Sequence, residues 1–244
     1  RKIENKKEVL AWSMYDFANQ PFTNLVVTFI YGTFFTTVIA SNEIEGTQQW
    51  SHAVSITAII VALLSPVMGA VADRGGYRKL FMFGFTWLTI IATSILYFVL
   101  PGEVHRALFW FVIANVGFEM GSVFCNAYLP DISHSKNIGR ISGYGWSLGY
   151  VGGLIALALA MVFLVQAEVP IFGFGKGEGG TYENIRATNL LVAIWFAIFS
   201  IPTFLFVKDR KPDTKALLQN LKHTVKDYRS TAIELKAYPQ IMRF

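Results

Sequence analysis

The sequence predicts an all-α integral membrane protein: a bundle of six transmembrane helices with both termini on the cytoplasmic side. Three observations carry this. Of the 244 residues, 53% are hydrophobic and only 15% charged, against about 25% charged in a soluble domain. The apolar residues fall in long blocks free of Lys and Arg. The basic residues themselves gather on alternate connections. The same composition excludes a disordered chain.

Each block is long enough to span a bilayer, which needs about 20 residues for ~30 Å of hydrocarbon. The first expected span, 9–39, is generous in length and carries Pro21, a reason for a kink. It is too long for the apolar region of a signal peptide and contains Asp16, Asn19, Gln20 and Asn24. The next five are placed at 51–72, 80–100, 107–129, 141–165 and 187–207. Six spans return the chain to its starting side. That side holds 18 of the 21 Lys and Arg residues, so the positive-inside rule makes both ends cytoplasmic. Topology thus explains the net charge of +5, and no nucleic-acid partner is expected. The single cysteine, Cys125, excludes an internal disulfide and a cysteine metal cluster.

After the sixth block, 208–236 reads as an amphipathic linker helix, with Leu217, Leu221, Val225, Tyr228 and Ala232 at helical spacing and Asp213 or Thr214 as cap. It either lies on anionic lipid or bridges through solvent. Residues 237–244 turn apolar again and read as the start of a truncated seventh span; the chain opens on Arg1 rather than Met.

Two acidic residues fall inside spans without a basic neighbour in sequence. Asp16 lies about 10 Å along the first span and Glu119 about 18 Å along the fourth, at 1.5 Å per residue. A charge at the bilayer centre costs on the order of 3 kcal/mol, so both should face a cavity or a partner. On the fourth span Asn115, Glu119, Ser122 and Asn126 stand at i, i+4, i+7 and i+11; on the first, Asp16, Asn19, Gln20, Thr23, Asn24 and Thr28 form a second stripe. Two such stripes are what a water-filled path requires. The alternative is that the amides hydrogen-bond one another in a dry interior. These residues are the candidates for substrate binding or coupling, with Glu119 or Asp16 as hypothetical proton carrier.

Between the second and third spans the chain reads Gly69-x-x-x-Asp73-Arg74-x-Gly76-x-Arg78-Lys79. Topology alone accounts for the basic residues but not for this order. It resembles the loop signature of the major facilitator superfamily. Trp12-Ser-Met-Tyr-Asp-Phe-Ala-Asn19, Asn126-Ala-Tyr-Leu-Pro-Asp131 and Ser142-Gly-Tyr-Gly-Trp-Ser-Leu-Gly-Tyr-Val-Gly-Gly153 are similar to its vacuolar amino-acid effluxer-like, autophagy-related branch. The resemblance covers about 12–207.

That resemblance implies the N-terminal half of a fold of about twelve helices, with a missing C-terminal six-helix half as partner. It implies a secondary transporter working by alternating access on a small solute, amino acids leading, with protons as a candidate coupling ion. It implies that Asp73 holds the cytoplasmic gate against the other half, and that Arg74 or Arg78 pairs with Asp131. Gly69, Gly76 and Arg140 complete the gating candidates, although Arg140 also reads as a topology charge. The membrane is the plasma or inner membrane, with the vacuolar membrane as alternative. Competing readings are a receptor or scaffold on a transporter fold and a six-span homodimeric transporter.

Gly145, Gly149 and Gly153 at four-residue spacing read as a close helix contact, or as a sliding surface in a gating version. The run Gly175 to Gly180 satisfies a nucleotide-binding pattern but lacks the strand and helix that would give it meaning. His52, His105, His134 and His223 lack metal-ligand spacing. Trp50, Tyr97 and Trp110 read as interface anchors. No nucleophile–base pair is visible, and neither an enzyme nor a cofactor is expected.

Overall fold

The computed structural model describes residues 5–177 and 181–208, and for 70–75 the backbone alone. The expected linker helix and seventh span therefore lie outside the described residues, apart from Lys208. The described residues form helices and connections without strands. Six helical stretches are long and apolar enough to cross a membrane: Lys6–Ile39, Glu43–Gly69, Arg78–Leu96, Val104–Ile132, Ile138–Val165 and Glu183–Phe206. They are referred to below as the first to sixth spans.

The first span departs from a uniform α-helix. An α-helix over Lys6–Pro21 gives way to a π-helical stretch, Phe22–Phe29, in which Ile30 N–H donates to Leu25 O five residues back. Pro21 supplies the cause: it has no N–H for the carbonyl of Phe17. The orphan is satisfied from the sixth span, where the Trp195 indole donates to Phe17 O at 3.1 Å. A second π-helical turn, Phe35–Ile39, ends the span.

Helix ends differ from the limits of the apolar blocks because water-exposed turns also cap and wind. The second helix begins at Glu43, ahead of the apolar block, with Asn42 Oδ1 accepting from Glu45 N–H at 2.9 Å and Glu43 and Glu45 at its positive end. It continues to Gly75. Gly76 then turns the chain at φ +67°, a left-handed conformation that glycine adopts without penalty. The third helix ends at Leu96, short of the apolar run.

Small residues set the tightest contacts. A methyl group at Gly117 of the fourth span would stand 2.9 Å from the Phe85 carbonyl oxygen of the third. The fifth span lays Gly145, Gly149, Gly152 and Gly153 on the first, around Asp16, Phe17, Gln20 and Asn24. Such close approach replaces the hydrophobic driving force that lipid does not supply. Aromatic clusters fill the rest. One lies around Phe22, Tyr31, Phe35 and Phe111, the other around Trp12, Tyr15, Phe124 and Phe196. The second span is the least covered of the six.

Candidate functional site

The first span is the hub. Trp12 Nε1 donates to Cys125 O of the fourth span at 2.8 Å, and Tyr15 shares a 2.7 Å hydrogen bond with Thr86 of the third. Thr203 of the sixth span donates to Ala11 O at 2.7 Å. These bonds fix the rotation of the first helix and hence the direction of its polar stripe.

That stripe divides between two neighbours. Asn19, buried, donates to Ser122 Oγ of the fourth span at 3.3 Å. Asp16, Gln20 and Asn24, each half-buried, lie over the glycine face of the fifth span. A methyl group at Gly145 would come within 2.5 Å of Asp16 Oδ2, and one at Gly153 would collide with the Asn24 amide. Asp16 has no hydrogen bond or ion pair among the described residues.

The fourth-span stripe grades from closed to open. Asn115 is buried, Ser122 half-buried, and Glu119 and Asn126 are exposed. A carboxyl open to the surroundings in mid-span, as Glu119 is, needs water or polar groups of another segment against it, because hydrocarbon does not satisfy it; Asn126 ends the helix, next to Ala127 and the Arg78 end of the bundle. The first and fourth spans thus present polar side chains side by side, joined at Asn19 and Ser122.

At the end of the bundle that carries the described termini, Arg78 opens the third span and is almost fully buried. Its guanidinium contacts Asp131 Oδ2 at 2.7 Å and donates to Ala127 O at 3.1 Å, with the Tyr128 ring centroid 5.9 Å away. Of the two arginines open on sequence for Asp131, the structure places Arg78 there. The side chains of Asp73 and Arg74 lie outside the described residues. Among the described residues nothing lies within 4 Å of a methyl group added at Gly69. Arg140 is exposed and lines a cavity of about 610 Å³ with His134, Ser135, Lys136 and Asn137.

Several ties carry no pattern visible in sequence. Lys79 Nζ donates to Val207 O at 2.8 Å, holding the end of the sixth span to the start of the third. Lys208 N–H donates to Glu8 Oε1 at 3.1 Å. At the opposite end Arg186 is buried and donates to the carbonyls of Thr181 and Tyr97 at 2.7 and 2.6 Å, beside the Tyr97 ring. Outside the spans, the exposed Glu103 carboxylate is held below its usual range by the Leu100 N–H and by Arg106. His52 and His105 face a shared groove of about 440 Å³ between the second and fourth spans. Among the described residues no three His, Cys, Asp or Glu side chains gather as a metal site.

Comparison with known proteins places this arrangement. The family described as vacuole effluxer Atg22 like matches residues 38–244. An uncharacterized MFS-type transporter of Bacillus subtilis, YxiO, is 25% identical over 247 residues, covering 95% of this chain and 56% of the relative. Autophagy-related protein 22 of Yarrowia lipolytica is 22% identical over 66% of this chain and 35% of its own length. An uncharacterized protein of Aquifex aeolicus is 31% identical over 67% of this chain and 41% of the relative. The chain spans about half or less of the length of these curated relatives. No solved structure matches. With six membrane-spanning helices and this family match, the chain is a multi-pass membrane protein that belongs to the vacuole effluxer Atg22-like branch of the major facilitator superfamily, its helices corresponding to the N-terminal half of that fold.

Proposed function

We propose that this chain forms one half of a secondary active transporter that moves a small solute by alternating access, with amino acids as the leading substrate class. The observation that carries the reading is the shared polar face of the first and fourth spans, where Asn19 meets Ser122, Glu119 stands open in mid-span and Asn126 is open at the end of the same helix. Its complement is a second six-helix half facing those groups, in keeping with relatives about twice as long or longer. Both described termini lie in the cytoplasm, and the membrane is the plasma or inner membrane, with the vacuolar membrane as alternative for a relative of the fungal proteins.

In this mechanism substrate binds between the halves near the midplane, where half-satisfied polar groups exchange water for ligand. Asn19, Gln20, Asn24, Asn115, Ser122 and Asn126 supply donors and acceptors. Asp16 moves against the glycine face of the fifth span, where the absence of side chains permits sliding. Arg78 with Asp131 braces the cytoplasmic end of the third and fourth spans, so that Asp73, Arg74, Gly69 and Gly76 at the adjoining loop meet the other half as the gate, while Arg140 serves as a topology charge at the membrane surface. Glu119, open to the shared face, carries the coupled proton. The test is uptake driven by an imposed pH gradient in proteoliposomes of the complete protein. Loss of that drive in Glu119→Gln, with exchange retained, supports the proton role; full pH-driven uptake removes Glu119 from it.

A further inference from the structure

A groove of about 400 Å³ lies between the first and fifth spans near the described termini, within the size range of small-ligand sites. Its walls are apolar: Val9 and Leu10 from the first span, Tyr144 and Leu148 from the fifth, with the hydroxyls of Ser13 and Ser147 the polar exceptions. Leu10 and Tyr144 remain exposed. Lys6 stands at one end. Arg140 precedes Tyr144 by four residues, on the same face of the fifth helix and one turn nearer the same membrane surface. Neither Lys6 nor Arg140 makes a hydrogen bond or ion pair among the described residues.

Depth decides what such a groove meets. From Lys6 to Ser13 is seven residues, about 10 Å along a helix at 1.5 Å per residue, which fits inside one leaflet of a ~30 Å hydrocarbon core. Lys6 and Arg140 therefore sit at headgroup level while the apolar walls run into the acyl region. The groove is distinct from the polar face. Lys7, over the Phe206 ring, and Ala11, whose carbonyl accepts from Thr203, mark the side of the first helix toward the sixth span, and Asn19 faces the fourth, whereas Lys6, Val9, Leu10 and Ser13 line the groove against the fifth.

We propose that the groove binds an anionic phospholipid, one acyl chain against Val9, Leu10, Tyr144 and Leu148 and the phosphate between Lys6 and Arg140. Charge complementarity selects the occupant. A basic rim above an apolar furrow matches a single amphiphile with a negative headgroup, and no acidic residue lines the groove among the described residues. A zwitterionic lipid supplies the same chain without the net charge.

The complete protein, purified in mild detergent, is offered phosphatidylglycerol and phosphatidylcholine of identical chains, and retained lipid is counted by native mass spectrometry. Phosphatidylglycerol is retained preferentially, and Lys6→Gln with Arg140→Gln lowers its affinity about 25-fold, each basic group contributing about fivefold at an anionic surface. Both residues are exposed, so an unchanged unfolding temperature confirms that the variant is folded. Ser147→Trp fills the groove and reduces retention of both lipids. Four results overturn the proposal: no preference between the lipids; a preference untouched by the double variant; displacement by excess inorganic phosphate, which makes this a free-anion site; or no retained lipid because another segment of the complete protein covers the groove.

Discussion

Asn19 on the first span donates its side-chain amide to the hydroxyl of Ser122 on the fourth, across 3.3 Å in a largely buried setting. This bond ties the helix that carries Asp16 to the helix that carries Glu119. It also separates Asn19 from Asp16, Gln20 and Asn24, which turn to the fifth span instead.

Asn19→Leu and Ser122→Ala test the joint. Interhelical hydrogen bonds in membranes contribute about 0.6 kcal/mol on average, so a double-mutant cycle on unfolding should return a coupling of about that size. Solute exchange by Asn19→Leu should fall at least about tenfold, because its amide then leaves the shared polar face. Thermal unfolding with exchange assays on the same preparations separates the two effects.

The pair of Arg78 and Asp131 should matter more for stability. Removing one partner of a fully buried pair costs about 3–5 kcal/mol. Asp131 keeps some contact with solvent, so Arg78→Gln should cost about 2–3 kcal/mol. Arg78 Nη1 serves both Ala127 O and Asp131 Oδ2, so Arg78→Lys, whose ammonium carries three N–H donors, should recover part of the loss. Detergent-solubilised unfolding curves measure both.

Gly145→Ala places a methyl group 2.5 Å from Asp16 Oδ2 and 2.9 Å from the Trp12 ring. Overpacking of this kind costs about 1–3 kcal/mol, and Asp16→Ala in the same chain should recover part of it. Gly139→Ala, on the same helix with nothing within 4 Å of the added atom, is the control. It should be neutral or slightly stabilising in unfolding curves.

How much of this was legible beforehand depended on the range of the interaction. Spans show in sequence because a bilayer imposes one length and one polarity on each of them. The Arg78–Asp131 pair was half legible: Asp131 and a basic loop residue were readable, but Arg74 and Arg78 stand in one loop, and it takes the fold to bring Arg78 at the start of the third helix against Asp131. The π-helical stretch after Pro21 was readable only as a kink, because the carbonyl of Phe17 is rescued by Trp195, 178 residues further along the chain. Arg186 carries no sequence pattern that sets it apart from the other basic residues of the connections. It is buried because two main-chain carbonyls hold it, and a carbonyl leaves no mark in a sequence. Glu119 and Asn126 share a stripe with Asn115, yet only Asn115 is closed over; helical period gives the face and not its depth.

Glu103 offers a pH test outside the membrane. Its carboxylate accepts from Leu100 N–H and pairs with Arg106 in the folded chain, so its folded pKa lies below the ordinary 4.5. The group therefore adds stability above pH 4.5, and the addition is lost as pH falls through the folded value. Glu103→Gln should flatten the acid limb of the stability–pH curve while leaving its neutral region within a small offset.

The most direct measurement is solute counterflow with the complete protein in proteoliposomes, vesicles loaded with an unlabelled amino-acid mixture and labelled amino acids outside. The account predicts transient accumulation of label above equilibrium for at least one amino acid, abolished in Asn19→Leu. Binding of a solute without any exchange would contradict it and would make the polar face of the first and fourth spans a receptor surface instead.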